Sequence, residues 1–139
     1  MKRISQLNDR IGRVLLFICT IGAFSSFILT IENVASADSA TKVVEIWRMY
    51  GFILFTGLFL LLTIYPRRYA GLWELAFFHK AAVSVTIPLT IQQITPDIQF
   101  VAMIDGILAL IVLIAYFLTK GYLAWQRFSN GNDSAINNT

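Results

Sequence analysis

The stretch LWELAFFHKAAVSVTIPLTI, Leu72 to Ile91, decides how this chain is read. It has the length of a membrane-crossing helix, which needs about 20 mostly apolar residues. Yet it holds Glu74, His79 and Lys80 close together, in a chain where charge is scarce. Breakers bound it on both sides: PRRYAG from Pro66 and QQITPDIQ from Gln92. That punctuation predicts one helix from about 72 to 91.

Working outward, three more apolar runs have the same length. They are VLLFICTIGAFSSFILTI (14–31), WRMYGFILFTGLFLLLTIY (47–65) and FVAMIDGILALIVLIAYFLT (100–119). The 139 residues are 57% hydrophobic and 14% charged, against roughly 25% charged for an ordinary soluble domain. Mean hydropathy is +0.68. A soluble chain this small could not hide so much apolar surface. The expected fold is therefore all-α, a four-transmembrane-helix antiparallel bundle forming one domain over 1–127. The remainder, 128–139, is polar and apolar-poor and is expected to be disordered. The leader, apolar run and Ala35-Ser36-Ala37 also fit a cleaved signal peptide. The run is long for that role, and cleavage would leave three spans in the same orientation.

Basic residues set the orientation. Lys2, Arg3, Arg10, Arg13, Arg67, Arg68, Lys120 and Arg127 are eight of the 11 and fall on one side. The other side carries Glu32, Asp38, Glu45, Asp97 and Asp105 against Lys42 and Arg48. By the positive-inside rule both termini are cytoplasmic, in an inner or plasma membrane. Trp47, Trp73 and Trp125 fall at or beside the expected interfaces.

Polar groups inside the spans are the only candidates for chemistry, because charge at the bilayer centre costs roughly 2.5–3.5 kcal/mol on insertion scales. Glu74, in the first turn of its helix, can reach headgroups and suits the helix dipole. Lys80 lies about 12 Å in and is expected to snorkel back. His79 cannot snorkel. It shares a stripe with Ala82, Val83, Thr86, Thr90 and Gln93 that is expected to face the bundle rather than lipid, so it either bonds Thr56, Ser25 or Ser26 across helices or handles a proton or ligand. Pro88 is expected to kink the outer half of this helix. Arg48 and Asp105, in the same leaflet, are expected to pair as a clamp, with Glu45 competing for Arg48, or to leave Asp105 for a cation or cationic ligand. Cys19 reads as a buried, inert thiol.

Absences narrow the function. One histidine cannot make a multi-His metal centre, so no metal and no cofactor is expected. No HExxH, GxSxG or Walker loop occurs, and no catalytic residue can be named. The basic residues lack aromatic interleaving, so nucleic acid is not an expected partner. The sequons NDS and NNT lie on a tail expected to be cytoplasmic.

Three stretches, WRMYGFILFTGLFLLL, YPRRYAGLWELAFFHK and MIDGILAL, resemble the later three helices of small DoxX-like membrane proteins. Arg48, Gly51, Gly57, the Pro-basic turn, Lys80 and Asp105 carry the resemblance, over about 45–115. It does not extend to the first helix. It implies a four-helix bundle serving as subunit or accessory of a membrane redox or stress-linked assembly, with no catalytic residue.

The leading expectation is a small polytopic membrane protein that acts by association, as a homo-oligomer or with a membrane-protein partner in the lipid bilayer. The alternative is an intramembrane site for a proton, ion or lipophilic small molecule. It would be centred on His79 with Thr56, Thr86 and Glu74, and gated by Arg48 and Asp105. That alternative would make the chain a small transporter or membrane enzyme.

Overall fold

The computed structural model describes residues 5–136, with side chains as far as residue 129. The chain is helical throughout: α1 (Gln6–Ser36), α2 (Lys42–Ile64), α3 (Leu72–Thr90), α4 (Pro96–Thr119) and α5 (Leu123–Ile136). Among the described residues there is no strand. Three helices, α1, α2 and α4, are long and apolar enough to cross a membrane. The fourth segment forms as α3, but Glu74, His79 and Lys80 make it more polar than the others.

Local sequence explains the breaks. Pro66 follows Tyr65, which leaves the helical region at φ −124° and ψ 59°, as residues before proline tend to do. Gly71, at φ 82°, supplies the left-handed residue that opens α3. Thr95 accepts from the Ile98 N–H and Pro96 takes the first position of α4, a favoured pairing of cap and starter. At its far end α4 stops on Lys120, a non-glycine residue at φ 54°. Gly121 cannot be spared for that role. A Cβ on it would come within 2.5 Å of the Trp73 indole nitrogen, so the glycine is used for packing and lysine bears the strained cap, at about 1 kcal/mol or more.

The connector expected over Glu32–Glu45 shrinks to residues 37–41, because α1 and α2 extend past their apolar runs. The tail expected to be disordered from 128 is helical to Ile136. Its first turn carries Leu123, Ala124 and Trp125, and extending an anchored helix is far cheaper than starting one. Residues 137–139 lie outside the described residues.

α1 packs along α2, and α3 along α4. The two hairpins meet through α1 and α4, while α2 and α3 barely touch. The buried apolar cluster is Leu16, Cys19, Phe55, Phe59, Leu62, Trp73, Ala76, Val112 and Ala115. Every one of these lies toward the end where α2 gives way to α3, called here the basic end. The opposite end, with the 37–41 and 91–95 connections, is open. No residue of α2 before Phe55, of α3 after Lys80, or of α4 before Asp105 is buried.

Candidate functional site

The top layer of the core is an ion pair. Lys80 Nζ donates to Asp105 Oδ1 at 2.7 Å, with side chains only 7% and 13% exposed. The Lys80 ammonium also lies 4.3 Å from the centre of the Phe55 ring, a cation–π contact. Helix register brings the pair together. Lys80 sits ten residues before the end of α3 and Asp105 nine residues after the start of α4. Antiparallel helices with those offsets hold the two at one level. Close approach is allowed by Gly106, where a Cβ would meet Ser84 Oγ at 2.7 Å. Ser84 is one turn beyond Lys80 on the same face.

Two expectations are corrected here. Lys80 does not snorkel, because a carboxylate at its own level satisfies it more directly than distant headgroups. Arg48 does not pair with Asp105. It contacts Glu45 one turn away at 3.1 Å, without hydrogen-bond geometry at that oxygen, and its side chain is 46% exposed. The missed signal was the hairpin count from each end of the 91–95 connection, which singles out Lys80 for Asp105.

His79 is exposed. Its ring lies 4.7 Å from that of Phe55, and among the described residues its imidazole makes no hydrogen bond. Expected partners are occupied locally. Thr56 Oγ1 donates to the Phe52 carbonyl at 2.8 Å and Ser26 Oγ to that of Gly22 at 3.0 Å. Ser25 is exposed. Thr86, seven residues on and about 20° around the helix, is exposed on the same face as His79. Glu74 is about 140° away and engaged elsewhere, so the set His79, Thr56, Thr86 and Glu74 is not brought together. Pro88 lies near the end of α3, two residues before Thr90.

Glu74 belongs to an aromatic corner at the basic end. Its Oε1 accepts from Tyr116 Oη and from Trp125 Nε1, both at 2.9 Å. Trp73 Nε1 donates to the Pro66 carbonyl at 2.8 Å, and its ring meets Tyr116 edge-on at 5.6 Å.

A second polar cluster at the same end was read in the sequence only as edge charge. Arg13 Nε donates to Asp9 at 2.8 Å, and its Nη1 to the Thr63 and Ile64 carbonyls at 2.8 and 2.9 Å. Arg67 Nη1 bonds Asp9 Oδ1 and the Thr119 carbonyl. Two arginines thus cap the carbonyl ends of α2 and α4 and share one carboxylate. Neither helix has a basic residue in its own last turn, so the orphan carbonyls are met from outside. Cys19 is free and buried. Among the described residues, no three His, Cys, Asp or Glu side chains gather as a metal site would need.

Comparison of the chain with protein-family models, with curated proteins and with solved structures found no match.

Proposed function

We propose that this is an integral protein of an inner or plasma membrane in which α1 to α4 all cross, with both termini cytoplasmic, and that it acts by association. The proposed α3 crossing rests on its length of about 28 Å, close to the hydrocarbon thickness, and on the pairing of its deepest charge. The observation that carries association is the open half of the molecule. Beyond the Lys80–Asp105 layer nothing on α2, α3 or α4 is buried, and α2 and α3 stand apart with His79 and Thr86 exposed between lipid and protein. Gly51, one turn before Phe55, has an open face as well, since a Cβ on it meets nothing within 4 Å. Small residues and unsatisfied polar groups are what membrane helices present to one another. A second copy of this chain, or a helix of a larger assembly, covers the α2–α3 face. The resemblance of 45–115 to DoxX-like proteins points the same way, toward an accessory subunit.

Cross-linking in native membranes tests this. In a Cys19→Ser background, single cysteines at Thr56, His79 and Thr86 should form adducts with a partner or a second copy. A cysteine at Phe117, exposed on the outward face of α4, should not. Absence of any adduct from the three positions would defeat the association reading. Orientation is tested separately: a reporter fused after Thr139 should be active only in the cytoplasm.

A further inference from the structure

Gln6, Asp9, Arg10 and Arg13 share one face of the first turns of α1, within an arc of about 100°. Together with Arg67, from the turn between α2 and α3, they line an open cavity of about 430 Å³. Small-molecule sites span roughly 300–1,000 Å³. The cavity wall is as polar as it is apolar, and the Arg13 and Arg67 side chains are 32% and 22% exposed. A ligand in the cavity can therefore reach the charged groups.

These arginines have donors to spare. A guanidinium carries five N–H groups. Arg13 spends Nε on Asp9 and Nη1 on the Thr63 and Ile64 carbonyls, which leaves Nη2. Arg67 spends only Nη1, on Asp9 and the Thr119 carbonyl, which leaves Nε and Nη2. Arg10 is exposed and, among the described residues, makes no hydrogen bond or ion pair. Three positive charges thus line the cavity against one negative charge, and both oxygens of that carboxylate are already engaged. Bonds to other helices hold two of the three guanidinium groups in place, so an anion arriving there has little left to order.

We propose that this cavity binds a phosphate group, carried by an anionic lipid headgroup or by a soluble phosphate. Planar guanidinium forks match phosphate oxygens two at a time. Arg10 and the spare N–H groups of Arg13 and Arg67 donate to the phosphate, and the Gln6 amide is a further donor in the same wall. The cavity lies just before the apolar run that starts at Val14. In the crossing proposed above this is headgroup level, where basic pockets between membrane helices hold anionic lipids. Only the lipid as source rests on that reading. Binding of phosphate itself does not, and neither depends on association through the α2–α3 face.

The test uses the whole chain, freed of lipid, in dodecylmaltoside. Binding is read as the rise in melting temperature on titration and, for lipids, as adduct mass in native mass spectrometry. Phosphatidylglycerol should give a saturable single adduct, and diacylglycerol, which lacks the phosphate, none. Arg10→Gln removes a charge that no described residue depends on. It should weaken binding about tenfold or more and leave the unliganded melting temperature unchanged. Gln6→Glu puts a second carboxylate in the wall and should abolish binding, while an acid in the first turn suits the helix dipole and keeps the fold. Arg68→Gln, the same loss of charge just outside the cavity, should bind as the parent does. Inorganic phosphate identifies the source. If it displaces phosphatidylglycerol and stabilises the chain alone, with the same dependence on Arg10, the occupant is a soluble phosphate; saturation by the lipid alone makes it a membrane lipid. Failure of both to bind, equal binding of diacylglycerol, or parent-like binding by both cavity variants overturns the proposal. So does an Arg68→Gln loss as large as that of Arg10→Gln, which would reduce the site to diffuse attraction.

Discussion

The two ends of this molecule are built on opposite plans. At the basic end Trp73, Phe59, Leu62 and Leu16 are almost fully buried, and Arg13, Arg67 and Asp9 stitch three helices together. At the far end the corresponding turns of α2, α3 and α4 contribute no buried residue, and the only arginine there, Arg48, rests on its own helix. The ion pair Lys80–Asp105 marks the boundary. A helical protein can therefore be specified at one end and left open at the other. Openness here comes from what the side chains lack, which is a partner, and not from weak helices.

Substitutions should separate the two ends in a graded way, read as thermal unfolding in nonionic detergent. The largest effect belongs to the boundary. Lys80→Met or Asp105→Leu alone strands a buried charge and should cost about 3–5 kcal/mol, whereas the double variant should recover most of it, as apolar replacements of buried pairs often do. Full additivity of the two single losses would show that the pair is not coupled. Next comes Arg67→Ala, which removes bonds to Asp9 and to the Thr119 carbonyl. It should cost about 1.5–3 kcal/mol, while Arg48→Ala at the open end should cost less than about 0.5.

Glycines sharpen the same contrast. A Cβ at Gly12 would lie 2.6 Å from Thr119 Cγ2 and 3.3 Å from the Ala115 carbonyl, so Gly12→Ala should destabilise by about 1–3 kcal/mol. Gly51→Ala, with open space around it, should instead stabilise by up to about 1 kcal/mol through helix propensity. A reversed order of these two variants would break the comparison. The smallest effect is a titration at the open end. Asp38 Oδ1 accepts from the Thr41 hydroxyl at 2.7 Å and from its N–H at 2.8 Å, and these bonds hold its carboxyl below the ordinary value of 3.8. A depressed folded value means the contribution is complete above the unfolded value and vanishes as pH falls through the folded one. The difference in melting temperature between the parent and Asp38→Asn should therefore be small, constant near neutrality, and shrink only below about pH 4.

Much of the scaffold was legible in the residues. The apolar runs and Pro66 place four long helices, α3 to within one residue and α1, α2 and α4 starting eight, five and four residues before their runs, because length and punctuation are local properties. The pairing of charges was less so. Arg48 and Asp105 were matched by leaflet alone, yet leaflet depth says nothing about which helices are neighbours. Counting along the α3–α4 hairpin does, and it leads to Lys80. Arg13 and Arg67 were invisible as caps because their partners are backbone carbonyls, which every residue carries. Glu74 was read as a headgroup-facing carboxylate. Its engagement by Tyr116 and Trp125 needed the sharp turn at Lys120–Gly121, which lets the Trp125 side chain reach Glu74.

The arginine caps have a consequence for the order in which the chain matures. Arg13 precedes the Thr63 and Ile64 carbonyls it serves, and Arg67 precedes that of Thr119. During synthesis from the N-terminus each donor is thus already present when its acceptor emerges. The end of α2 can close on α1 before α3 exists, and the finished first hairpin then offers Arg67 to the last turn of α4.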